Sequence, residues 1–181
     1  MPPAIRAAQA DDARRVAEIH VRAWQWAYQD LLPASFLAGL SVERRAAYWL
    51  QWLSDSPPRS HLWLATERTR VLGFAATGPS RDADADAHSG ELLAIYLEPE
   101  VVGTGTGSAL CAHAEDQLRH DGFRVATLWV LESNPRGRRF YERRRWRVDG
   151  GEKTVELGGR AVVEVRYRKT LTPGGDERRA S

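Results

Sequence analysis

The stretch Glu98-Pro-Glu-Val-Val-Gly-Thr-Gly-Thr-Gly-Ser-Ala-Leu-Cys111 constrains this chain more than any other. An apolar run ends in a loop with glycine at 103, 105 and 107, and the loop opens directly into a helical segment. Glycine lets the backbone approach a ligand closely, and the first turn of a helix leaves N–H groups unpaired with a partial positive charge. Taken alone, such a segment either cradles phosphate or simply turns a strand into a helix. No Gly-Lys-Ser/Thr ending follows, which excludes a nucleotide P-loop, and the glycine spacing departs from the dinucleotide fingerprint.

A second segment bears on that choice. Asn134-Pro-Arg-Gly-Arg-Arg-Phe-Tyr-Glu142, followed by Trp146, lies downstream of the strand-like run Ala126 to Leu131. In the order and separation of the two motifs the chain resembles the GNAT superfamily of N-acetyltransferases. Those proteins carry a Q/R-x-x-G-x-G/A acyl-CoA loop and a later N-x-x-A/G-x-x-F-Y-E helix. The resemblance runs from about Ile5 to Leu171, and the paired motifs are far more specific than either alone. It implies acetyl-CoA as co-substrate, with Gly103, Thr104, Gly105, Thr106, Gly107 and Ser108 around the pyrophosphate. The backbone of Tyr96 and Leu97 would pair with the pantetheine amides. Asn134 would bond to the pantetheine arm, although capping of the motif helix explains it equally well.

Three positions depart from the family pattern. Val102 stands at the Gln/Arg position of the loop, and Thr104 stands where a basic residue is common. Backbone amides and hydroxyls must then carry the pyrophosphate, and the 3′-phosphate of CoA needs its own cation. Arg138, Arg139 and Arg143 are nearest in the sequence. Arg145 replaces the usual glycine before Trp146, so this residue either adopts a left-handed conformation or ends the helix differently.

Composition is that of one soluble domain, expected in the cytoplasm. Of 181 residues, 43% are hydrophobic and 28% charged, enough for a single sizeable core. The single cysteine, Cys111, excludes an internal disulfide framework, and no uninterrupted apolar run approaches membrane-spanning length. The five histidines show no metal-ligand spacing, so no metal is expected. A net charge of +2 does not call for a polyanionic partner, although arginines cluster from Arg136 to Arg147. That cluster reads as nucleic-acid contact or as a solvated helix face, with Glu142 pairing to Arg138 or Arg139, and the solvated face is favoured.

Alternating elements predict an α/β (α+β) fold with a mixed sheet covered on both faces. A strand near Ile5 precedes a helix from about Asp12 to Tyr28, and Ser41 caps a second helix that Asp55-Ser-Pro-Pro58 terminates. Strand-like runs follow at His61 to Thr66 and Val71 to Thr77, then a polar segment, Arg81 to Gly90, read as a mobile loop. A fourth strand covers Glu91 to Leu97, and a closing hairpin turns at Gly158-Gly159. Residues 1–171 form one domain, and Thr172 to Ser181 is read as a disordered tail. The resemblance implies a GNAT-like, mostly antiparallel sheet of about seven strands, splayed between strands four and five.

The chemistry that this resemblance implies needs a base, an oxyanion donor and an acid. An amine with a pKa near ~10 must lose a proton before it attacks a thioester. Glu91, 11 positions before Val102, stands where some family members carry a general-base glutamate; a polar strand end is the other reading. A backbone N–H in a bulge of strand four would hold the oxyanion. Tyr141 would protonate or hydrogen-bond the departing sulfur.

Trp24, Trp26 and Tyr28 end the first helix where the family places its acceptor wall, and Trp49 and Trp52 add to that neighbourhood. Trp24, Tyr28 and Glu91 are therefore the candidate acceptor contacts, with packing between the first two helices as the alternative for the tryptophans. The acceptor expected is a small-molecule primary amine. A peptide or protein amine, and a non-catalytic acyl-CoA sensor, are the competing functions; the assembly is a monomer or homodimer.

Overall fold

A computed structural model describes residues 2–171; the tail expected at Thr172 to Ser181 lies outside the described residues. Strand β1, Ala4–Ala7, leads through a 3-10 turn, Ala10–Asp12, into α1, Ala13–Ala27. Asp12 accepts from the Gln9 backbone N–H at 2.8 Å and from two guanidinium nitrogens of Arg6 at 2.7 Å. The acid at the helix start thus satisfies an orphan donor and ties α1 to β1. Val16, His20 and Ala23 turn inward, as their spacing predicts. Beyond Pro33 lies a short helix that periodicity did not reveal, α2 at Ala34–Ala38. Ser41 Oγ accepts from the Arg44 N–H at 3.2 Å and opens α3, Val42–Asp55.

The remaining elements are β2 (His61–Glu67), β3 (Arg70–Pro79), β4 (Ser89–Leu97), α4 (Thr106–His120), β5 (Val125–Leu131), α5 (Pro135–Glu142), β6 (Arg147–Leu157) and β7 (Arg160–Thr170). Gly158 and Gly159 turn the last hairpin with φ of 62° and 76°, the left-handed pair that a two-residue loop needs to match strand twist. The sheet runs β1-β2-β3-β4-β5-β7-β6, antiparallel everywhere except β4–β5. That parallel pair is joined by α4, the kind of crossover such a pair requires. It is short: Ser89–Glu91 against Val125–Thr127, while β5 stays paired with β7 as far as Leu131. Past Thr127 the two strands part, and a cleft opens where the splay was expected.

Helices cover both faces. On one, Val16, Ile19 and Trp49 of α1 and α3 pack on Leu62, Leu64 and Phe74. On the other, Leu110, Cys111 and Leu118 of α4 pack on Leu92, Ala126, Leu128 and Val165. Successive strand residues point to opposite faces, so β3 is buried on both. Trp49 and Trp52 belong to the first cluster, which assigns them to helix packing and not to an acceptor wall.

The structure corrects one local feature of the sequence reading and decides another. The Arg81 to Gly90 segment is tied down: Asp82 accepts from Trp129 Nε1 at 2.9 Å and pairs with Arg166 at 3.2 Å, and Asp84 takes Arg166 at 2.6 and 2.8 Å. At the end of α5, Arg145 adopts φ 65°. Its N–H reaches the Glu142 carbonyl at 3.0 Å, and the Trp146 N–H reaches that of Tyr141 at 3.2 Å. This is a Schellman ending with arginine in the left-handed position that glycine occupies cheaply. Since the Arg145 side chain is exposed, Arg145→Gly should be neutral or stabilise by up to about 1 kcal/mol, a rise of roughly 2 to 4 °C in Tm. A fall in Tm would reveal a contact made by the arginine.

Candidate active site

The cleft takes its floor from β4. Ala76 pairs with Ala94 and Thr77 with Leu92, which leaves Leu93 as an extra residue, a bulge in the strand. A bulged residue drops out of the ladder and frees backbone polar groups. This is the feature expected to hold an oxyanion. Leu93 through Leu97 all line the cleft.

At one end stands the glycine loop. Buried Glu98 anchors its start through Arg15 at 2.5 Å and Arg22 at 3.3 Å. Gly103 and Gly105 have φ of 88° and 97°, and a Cβ on either would meet nothing within 4 Å. It is conformation, not space, that demands glycine there. Gly107 differs: a Cβ there would lie 3.1 Å from Leu97 and 3.3 Å from Phe140, so its absence lets α4 close against β4 and α5. Gly105 caps α4 without a side-chain hydrogen bond, and the first intrahelical bond reaches back only from Ala109. The amides of Thr106, Gly107 and Ser108 therefore form an uncapped, partly positive rim. Thr104 Oγ1 donates to the Val101 carbonyl at 2.7 Å and lies 3.0 Å from Thr106 Oγ1. Val102 is exposed and lines the cleft.

α5 forms one wall. Asn134 Oδ1 accepts from the Gly137 N–H at 3.0 Å, so the capping role is realised, while the residue also lines the cleft. Tyr141 faces the cleft, packed between the rings of Phe140, Trp146 and Tyr167. Burial pushes its phenol pKa far above the ordinary value, with the Cys111 and Tyr96 fields adding to the rise. Its hydroxyl stays protonated across the physiological range and can only donate to a developing anion.

The arginine cluster is sorted by the fold. Arg138, expected near phosphate, donates instead to the Tyr167 hydroxyl at 3.1 Å and the Glu132 carbonyl at 3.2 Å. Glu142 accepts from that same Tyr167 hydroxyl at 2.7 Å, where an arginine partner was expected. Arg139 and Arg143 are exposed. The arginine that reaches the loop is Arg144, which the sequence reading passed over. It donates to Ser108 Oγ and to the Phe140 carbonyl, with its guanidinium 3.7 Å over the Phe140 ring.

Away from the loop, the candidate acceptor contacts Trp24 and Tyr28 line the cleft, and Trp26 lines it with them. His20 supports this wall from behind, its ring stacked 4.7 Å from Tyr96. Its Nδ1 accepts from Trp49 Nε1 at 3.1 Å, and burial lowers its pKa to about 3, so the ring is neutral. Glu91, the expected base, is not among the lining residues. It is buried where β4 and β5 still pair, and both its oxygens accept from Arg81: from the backbone N–H at 3.1 Å, Nε at 3.2 Å and a terminal nitrogen at 2.7 Å. The carboxylate that lines the cleft is Glu164 of β7. It pairs with Lys153 at 3.2 Å; burial is the main cause that raises the pKa of Tyr28 and Tyr96, and the Glu164 field is the smallest of the named contributions to each. Among the described residues no cluster of His, Cys, Asp and Glu is placed to share a metal, and no helix is long and apolar enough to cross a membrane.

A splayed sheet, a bulged central strand and a glycine loop on a helix N-terminus together define a fold built to hold an extended ligand between two strands. The sequence profile of the Acetyltransferase (GNAT) family matches residues 13–145. A Bacillus subtilis (strain 168) relative named "Uncharacterized N-acetyltransferase YuaI" is 33% identical over 132 residues, 72% of this chain and 73% of its own. Among solved structures, PaiA N-acetyltransferase from Thermoplasma acidophilum in complex with coenzyme A superposes with a TM-score of 0.71 at 21% identity, covering 94% of this chain and 99% of its own. YncA from Salmonella typhimurium with its cofactor acetyl-CoA gives 0.71 at 20%, covering 99% and 98%. At such identities these two likenesses speak to the fold alone. The chain belongs to the GNAT family of acetyltransferases.

Proposed function

We propose that this N-acetyltransferase moves the acetyl group of acetyl-CoA to a small primary amine, by direct attack with both substrates bound. The observation that carries this reading is the placement of a protonated Tyr141 in the cleft between the uncapped α4 amides and the Glu164 end. Relatives of the same fold are described with coenzyme A or acetyl-CoA bound, which supports the same ligand here. The pyrophosphate lies against Gly103 to Ser108, with Arg144 supplying the charge that Val102 and Thr104 do not. The pantetheine arm follows Tyr96 and Leu97, beside Asn134.

Glu164, which lines the cleft and meets Lys153 through one oxygen, removes a proton from the ammonium group, in place of Glu91, which lies outside the cleft with both oxygens held by Arg81. The amine nitrogen then attacks the thioester carbon, and the bulge at Leu93 offers its N–H to the oxyanion. As the carbon–sulfur bond breaks, the thiolate leaves with the electron pair and takes a proton from the Tyr141 hydroxyl, and the proton that the attacking nitrogen sheds on becoming an amide restores the phenol through solvent. The products are an N-acetyl amide and free CoA thiol. Trp24 and Tyr28 wall the amine, and aromatic faces suit a cationic body.

The test is an acetyl-CoA-dependent screen of amines that detects released thiol. Turnover with small amines is the expected result, and thiol release only with peptides would overturn the small-molecule reading. Arg144→Ala should weaken CoA and dephospho-CoA alike, each by about 10-fold or more, as loss of a charge-assisted contact to pyrophosphate predicts. Loss confined to CoA, measured by calorimetry, would move Arg144 to the 3′-phosphate.

A further inference from the structure

The cleft holds one charged group that neither the cofactor nor the acetyl transfer uses. Arg136 lies in the first turn of α5, exposed, and lines the cleft with its guanidinium 4.2 Å over the Trp26 ring. Its neighbours in the cluster are engaged elsewhere: Arg138 with Tyr167, and Arg144 with Ser108. No described carboxylate forms an ion pair with Arg136, and its recorded partner is the face of Trp26. A guanidinium stacked on one face keeps its N–H fork free at the edge, in the geometry that grips a carboxylate with two hydrogen bonds.

Position along α5 sets Arg136 apart from the glycine loop. The eight residues of α5 span about 12 Å at 1.5 Å per residue, with Arg136 in the first turn and Arg144 just past the last. Arg144 is at the glycine loop, so Arg136 is at the opposite end, on the side of Trp24, Tyr28 and Glu164. That end therefore offers both signs of charge: the Glu164 carboxylate, which Lys153 engages through one oxygen, for an ammonium group, and an exposed guanidinium without an ion-pair partner among the described residues for an anion.

Resting on the small-amine reading above, we infer that the acceptor is a primary amine that carries a carboxylate on the same molecule, as an amino acid does, with the carboxylate held by Arg136 on Trp26. A plain alkylamine or polyamine would leave the guanidinium without a counter-charge. An amino acid satisfies Arg136 and Glu164 together and is held with its nitrogen toward the cleft floor.

The experiment uses pairs of amines that differ by one carboxylate, such as phenylalanine with 2-phenylethylamine and methionine with 3-(methylthio)propylamine. The full-length protein and its Arg136→Ala and Arg136→Lys variants are assayed by thiol release, and the ratio of kcat/KM for acid over plain amine is read in each. Taking the ratio within one variant cancels differences in folding, and comparing the ratio between variants cancels differences in amine basicity. The ratio should favour the acid in the parent protein and fall by about 10-fold or more in Arg136→Ala, the scale of one charge-assisted contact. Arg136→Lys should restore part of it through charge alone. Acetylation of the amines with a ratio that is the same in Arg136→Ala, or a parent protein that favours the plain amine, would overturn the inference and leave the small-amine reading standing. Absence of turnover with every member of the pairs and with all other small amines would overturn that reading, and this inference with it.

Discussion

Tyr141→Phe is expected to lower kcat by about 10- to 100-fold, the ordinary scale of assistance by a positioned acid, while acetyl-CoA affinity changes little. The phenol stands in the cleft, and its packing against Phe140, Trp146 and Tyr167 is carried by the ring, which phenylalanine keeps. What the substitution removes is one donor. Because burial holds the phenol protonated, its ionisation should not shape the pH profile near neutrality. The loss should instead shrink with acetyl donors whose thiols are more acidic, since a better leaving group needs less help. A kcat equal to the parent's would remove Tyr141 from the mechanism.

Glu164→Gln should reduce kcat/KM by about 100-fold near neutral pH, as expected when the group that accepts the ammonium proton is made neutral. Glu91→Gln should act differently. It breaks the ion pair with Arg81, whose side chain is 67% exposed and can return to water, so the main effect is on stability, about 1 to 3 kcal/mol. Its kcat/KM should stay near the parent's. The reverse pattern, kcat/KM lowered by Glu91→Gln and untouched by Glu164→Gln, would show that Arg81 releases Glu91 to act as the base.

The contrast between those two carboxylates marks the limit of reading this chain as a string. Glu91 could be singled out by its offset from Val102, but the offset carries no information on Arg81, which the β3–β4 connection folds back onto it. Glu164 lies within a run recognisable as a strand, and the period of two places it opposite Val165 and Tyr167. Which of those faces meets a cleft depends on β7 lying between β5 and β6, and that order is not local. The arginines behave likewise. Helical spacing puts 136, 138 and 139 around one short helix with 143 and 144 just past its end, yet it is the docking of α5 against α4 and β7 that brings Arg144 to Ser108 and Arg138 to Tyr167.

By itself the sequence determined the features whose causes are contiguous. These are the glycine loop, the helix that opens from it and the tight last hairpin, while Asn134 and Arg145 were narrowed to two local outcomes each. Each depends on φ preferences or on hydrogen bonds within a few residues, and these act in any fold. Tertiary structure alone decided which carboxylate, which arginine and which tryptophans share the cleft. Those contacts join residues far apart in the chain, and their free energy comes from burial and register that exist only once the sheet has closed on its helices.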